Sequence, residues 1–121
     1  MSPADAALAC IAAFTERFNA RDLVGMDAAL HFPHLILTGE HLVIWKAPGQ
    51  LPPGFFEELA TTGWARSTYH AQQVVLASDR KVHLLVDYSR DRADGTQISH
   101  HQNLWIVTLQ DGRWGLKQRS Y

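Results

Sequence analysis

The stretch Lys81-Val82-His83-Leu84-Leu85-Val86-Asp87-Tyr88-Ser89 decides how this chain folds. In an extended strand Val82, Leu84, Val86 and Tyr88 share one face, while His83, Leu85, Asp87 and Ser89 share the other. The stretch belongs to a longer region, from Trp64 onward, in which β-favouring segments are separated by Ser78-Asp79-Arg80, Ala93-Asp94-Gly95 and Gln110-Asp111-Gly112. Such loops predict a meander of four antiparallel strands. At about 3.4 Å per residue, strands of ten or more residues would exceed roughly 30 Å. Sheets of that length twist and coil, so one face is expected to be concave. If the Val82 set lines the hollow, Asp87 points outward.

Upstream the texture is helical. Ser2-Pro3-Ala4-Asp5 reads as a helix entry, with a serine cap, proline at the first helical position and an acid near the positive dipole end. Ala7, Ile11, Phe14 and Phe18 then recur at helical spacing and form one apolar stripe. Asp22 is a second cap, and Leu23, Met26 and Leu30 predict a short helix that ends near His31 because Pro33 cannot continue it. Leu35-Ile36-Leu37 and Leu42-Val43-Ile44-Trp45 flank Thr38-Gly39-Glu40, the pattern of a hairpin. Phe55, Phe56 and Leu59 suggest a third helix stopped by Gly63. Helices first and long strands last is an α+β arrangement, with three N-terminal helices packed on a strongly curved, mainly antiparallel sheet. The Trp64–Tyr121 strands would form the floor of a pocket and the first-helix stripe its lid.

The 121 residues suit one domain spanning the whole chain, and 46% hydrophobic residues suffice for a core without disulfides or metal. A net charge of -1, with both signs interspersed, gives no field to gather nucleic acid or an anionic membrane. No stretch approaches the length of a bilayer span. The single cysteine, Cys10, and the absence of a signal-peptide pattern lead us to expect a cytoplasmic protein. No phosphate loop, nucleophile elbow or nucleotide fingerprint is present, and no cofactor is expected.

The order helix, helix, short hairpin, helix and four long strands resembles the nuclear transport factor two-like superfamily, which includes SnoaL-like enzymes and ketosteroid isomerases. Leu30-His31-Phe32-Pro33-His34, Lys81-Val82-His83, Tyr88-Ser89-Arg90-Asp91-Arg92-Ala93-Asp94-Gly95, Asp111-Gly112-Arg113-Trp114-Gly115 and Arg119-Ser120 look like an uncharacterised bacterial branch of it. The resemblance implies a cystatin-like cone with a pocket between helices and sheet, and a homodimer through the outer sheet face. It selects no reaction, since members include isomerases, cyclases, dehydratases, hydrolases and scaffolding domains. The helix-one tyrosine and early-strand carboxylate of the steroid isomerases have no counterpart here beyond Glu40 at a loop tip. Arg119-Ser120 resembles the ending of the superfamily's kinase association domains, whose arginine points into the pocket.

Seven histidines raise the question of a metal, but adjacent His100 and His101 face opposite sides of a strand, and Pro33 keeps His31 and His34 off a common helical face. No metal site is expected. A pocket histidine serving as general base is the more economical chemistry, with His34, His101 and Asp87 the candidates; each also has a purely structural reading as an outer-face or capping residue. For ligand binding the candidates are Phe18, Trp45, Trp64, Tyr88 and Arg119. The expectation is a small, mainly apolar ligand with a polar or anionic group, anchored by Arg119 and open to proton chemistry of the isomerase, lyase or hydrolase kind. The alternative is a non-catalytic association module. A cavity in which Arg119 and a histidine meet within hydrogen-bond reach would favour ligand chemistry.

Overall fold

A computed structural model describes all residues, Met1–Tyr121. Helix α1 spans Pro3–Asn19, and its entry follows the expected chemistry: the Asp5 backbone N–H donates to Ser2 Oγ at 3.1 Å, with proline in the first turn. The stripe Ala7, Ile11, Phe14 and Phe18 is buried, joined by Thr15. Asp22 caps α2, Leu23–Ala28, by accepting from the Gly25 N–H at 2.9 Å.

The second helix is shorter than expected. It stops at Ala28, Leu23 is half exposed, and Leu30 and His31 already belong to strand β1, Leu30–Thr38. Arg113 explains the early exit: Nη1 donates to Ala28 O at 3.0 Å and Nη2 to Leu30 O at 2.9 Å, tying the end of the helix to the last strand. Pro33, after a cis Phe32–Pro33 bond, sits where β1 loses its ladder, between the pairs Leu30 with Leu116 and Leu35 with Gln118. A residue without an N–H is tolerated at such an irregularity.

Strand β2, His41–Trp45, returns antiparallel to β1, with Thr38 opposite His41 and His34 opposite Trp45. Helix α3 is Phe55–Thr61, and the four long strands are β3 Arg66–Ala77, β4 Lys81–Asp91, β5 Gln97–Gln110 and β6 Arg113–Ser120. They form one six-stranded sheet in the order β2-β1-β6-β5-β4-β3. Every pairing is antiparallel except β1 with β6, so the sheet is mixed, and it does not close on itself. The fold is α+β, as the order of elements predicts.

Alternation along β4 decides the inner face. Val82, Leu84 and Val86 are fully buried and Tyr88 nearly so, and through register they meet Val107, Trp105, Asn103 and His101 of β5. Trp105 and Val107 in turn meet Arg119 and Leu116 of β6. The first-helix stripe packs onto this surface, with Phe14 edge-on to Trp105 at 5.7 Å between ring centroids. No helix is long and apolar enough to cross a membrane.

Candidate functional site

Between α1, α3 and the concave side of the sheet lies a cavity of about 430 Å³. That volume is in the range of small-molecule sites, about 300–1,000 Å³. Most of its lining is apolar, and Thr38, Pro52 and Tyr121 are its exposed members, marking the rim. The segment between β2 and α3 reaches the cavity through Leu51 and Pro52, and α3 reaches it through Phe55. It is anchored to α2 where the Gly49 N–H donates to Asp27 Oδ2 at 2.9 Å.

Arg119 is the polar centre of the cavity. It lines the wall yet is only 6% exposed. Its Nε donates to His34 Nε2 at 3.1 Å and its Nη1 to the Tyr121 hydroxyl at 3.0 Å. The rings of Phe14, Trp45 and Tyr121 surround the guanidinium at 5.0, 5.7 and 5.9 Å. All these neighbours are neutral. No aspartate or glutamate lines the cavity, and the one ion pair in the molecule, His100 with Asp87, is on the outer face. Cation–π contacts offset part of the desolvation of such a cation but leave its charge uncompensated.

His34 is what aims this guanidinium. The imidazole is fully buried, and Nδ1 donates to Leu116 O at 3.0 Å, because a carbonyl can only accept. Nε2 therefore carries the lone pair and receives the Arg119 hydrogen bond. Burial, reinforced by the Arg119 charge, brings the His34 pKa down to about 3 from its usual 6.5. The ring is neutral at ordinary pH, and while Arg119 is in place its basic nitrogen is occupied. As a general base His34 has no free electron pair; as an orienting acceptor it is well placed.

His101 is the only imidazole in the lining. It stacks on Tyr88, with centroids 4.9 Å apart, and its Nε2 lies 2.8 Å from Ser99 Oγ. Burial, followed by the charges of Arg90 and His100, lowers its pKa below 6.5, which keeps it unprotonated near neutrality. Tyr69 and Tyr88 also line the cavity, and burial raises both phenol pKa values, so both stay protonated and available as donors.

The remaining sequence candidates divide. Phe18, Trp45, Tyr88 and Arg119 line the cavity. Asp87 does not: it lies outside, accepting from His100 Nε2 at 2.7 Å, and the partner of His101 across the ladder is Tyr88. Asp87 is therefore corrected as a candidate for the cavity, for the parity reason already visible in β4. Trp64 is also corrected. It is buried behind the wall against Phe18 and Phe56, and its Nε1 donates to Ser67 Oγ at 3.1 Å, so Ser67 rather than Trp64 reaches the cavity. Cys10 is packing: its thiol faces Ala29 O at 3.7 Å, and burial pushes its pKa up to about 11. Arg90, which is not among the sequence candidates, also lines the cavity. Its even position on β4 was the signal that could have found it.

Helices packed on an open, curled, mixed sheet are the cystatin-like fold of the NTF2-like proteins. Solved structures similar to this chain have that fold. One is a protein of unknown function with a cystatin-like fold from Nostoc punctiforme, with a TM-score of 0.73 and 14% identity over 93% of this chain and 84% of that one. An NTF2-like protein from Cytophaga hutchinsonii matches with a TM-score of 0.69 and 15% identity over 99% and 97% of the two chains. A Shewanella frigidimarina protein provisionally assigned as a ketosteroid isomerase matches at 0.67 and 13% over 95% and 93%. No protein-family model and no curated protein sequence matches the chain. At these identities the likeness is one of fold.

Proposed function

We propose that the protein binds a small, mainly apolar molecule in the cone, holding an anionic group of that molecule against Arg119. The observation that carries this reading is a nearly buried guanidinium facing an apolar cavity that contains no carboxylate. A ligand carboxylate would supply the missing charge, His34 and Tyr121 would hold the fork in place, and the aromatic lining would take the apolar body. Where the ligand is turned over, His101 is the base the cavity offers: neutral, within the lining and close to two protonated phenols. Titration calorimetry with decanoate tests the binding reading. Wild-type protein should bind and Arg119→Met should not; equal binding by both would end it.

The outer face supports a second element of the reading, self-association. Two rows cross the sheet there, Leu42, Leu37, Ser120, Leu104 and Leu85 in one, Ile44, Leu35, Gln118, Ile106 and His83 in the other. Leu42 and Ile44 are 56% and 47% exposed in the single chain. An aliphatic band of this kind favours burial against a like surface. A molar mass of about twice the 13.6 kDa chain is expected by light scattering, falling to one chain in the double variant Leu42→Glu/Ile44→Glu; a monomeric wild type would refute it.

A further inference from the structure

Arg90 is the second cation of the cavity, half-buried where Arg119 is nearly enclosed. Its even position on β4 carries it to the concave side, where it joins the lining. The adjacent carboxylate does not serve it: Asp91 faces the other way and accepts from Thr68 and Ser89. No acid forms an ion pair with Arg90, and its Nε–H is shut away from solvent without an acceptor. Such a group loses its water without gaining a partner, a cost of about 1–3 kcal/mol for a neutral donor and more for a charged one.

The two arginines act on one chamber. Both line the same cavity, and Tyr88 is in that lining with them. They approach from different ends. Arg119 stands opposite Trp105 on β5 and Arg90 opposite Ser99, six residues apart on that strand. That is roughly 20 Å of backbone. The wall between them is aromatic, with Tyr69 stacked on Tyr88 at 5.3 Å and edge-on to Trp105 at 6.2 Å.

We infer that Arg90 is a second anion-binding pole, and that the ligand of this cavity is a dianion with an apolar middle, of the α,ω-dicarboxylate class. The inference rests on the proposed role of Arg119 and adds the other end of the molecule. A monoanion would leave one of the two lining guanidinium groups without a counter-charge; a molecule acidic at both ends supplies both and lays its methylene or ring body along the aromatic wall.

The test is calorimetric titration with a series of dicarboxylates from hexanedioate to dodecanedioate, each against the monocarboxylate of equal length. In the wild type, at least one dicarboxylate should bind ten or more times more tightly than its monocarboxylate. Arg90→Gln should bring that ratio within twofold by weakening the dicarboxylates. Arg90→Lys, which keeps the charge and guards against a folding artefact, should hold the ratio above threefold. Equal affinities for both classes in the wild type, with monocarboxylate binding abolished by Arg119→Met, would overturn the second pole and leave the Arg119 reading standing. Absence of binding to either class would overturn both.

Discussion

Replacing Arg119 by methionine should separate stability from binding, because in the empty protein the costs and gains of holding this residue nearly cancel. The guanidinium is 6% exposed and has no acid beside it. Desolvating an uncompensated cation costs several kcal/mol after relaxation. Against this stand three aromatic faces, worth about 0.5–2 kcal/mol each, and hydrogen bonds to His34 and Tyr121, worth about 1 kcal/mol each net. Methionine would fill most of the same space but leave the His34 Nε2 lone pair without a donor, at about 1–3 kcal/mol. These terms nearly cancel, so unfolding free energy in urea should change by no more than about 2 kcal/mol in either direction. Binding has no such compensation. Two charge-assisted hydrogen bonds of about 1.5–3 kcal/mol each are lost, a decrease on the order of 100-fold or more in affinity for decanoate. Urea denaturation and calorimetry on the same preparation measure both quantities. A variant more than about 4 kcal/mol less stable than wild type would refute the reasoning, since Arg119 would then be a structural cation already satisfied by the protein.

Two further outcomes follow from the same geometry. His34 has a pKa of about 3 when folded against 6.5 in its ordinary state, so its stabilising contribution is complete above pH 6.5 and is lost as pH falls from there toward 3. In the difference between wild type and His34→Gln, the stability slope over that window should therefore reach about 1.4 kcal/mol per pH unit; parallel pH profiles in urea melts would contradict it. At Gly115 an added Cβ would lie 2.6 Å from Cδ2 of the buried His31 ring, which Nε2 pins by donating to Arg113 O at 2.7 Å. Gly115→Ala should cost about 1–3 kcal/mol as an overpacking change, whereas an unchanged melting temperature would mean that the ring moves freely.

The helices and long strands were legible because each rests on a local pattern: a cap and stripe in α1, strict alternation in β4, and turn residues at each loop between strands. The start of β1 was not, because the feature that ends α2 is Arg113, 85 residues away from Ala28 in sequence. Proline at position 33 was read as a helix stop, which is correct locally but misses that a strand has already begun three residues earlier. Within the site, Arg119 and the aromatic wall followed from strand parity and from resemblance. Trp64 was misplaced because aromatic character predicts burial without saying on which side of a wall. Arg90 illustrates the reverse error. It stands beside the charged residues Asp91 and Arg92 and was not a candidate, but neighbours in a strand point to opposite faces and say nothing about each other's surroundings.

The bridge from Leu116 to His34 to Arg119 has a consequence for how the chain finds its own alignment. Leu116 and Arg119 lie on β6, and His34 reaches both from β1. These two strands are the only parallel pair, and their ladder is interrupted between Leu30 and Leu35, so backbone bonding alone specifies their offset weakly. A slip of β1 by one residue would turn His34 to the far side of the sheet, away from both partners, and leave Arg119 without its acceptor. The imidazole thus works as a register key: the parallel pair locks only in the alignment that also points the guanidinium inward, and selection for a correctly threaded sheet is at the same time selection for a correctly aimed cation.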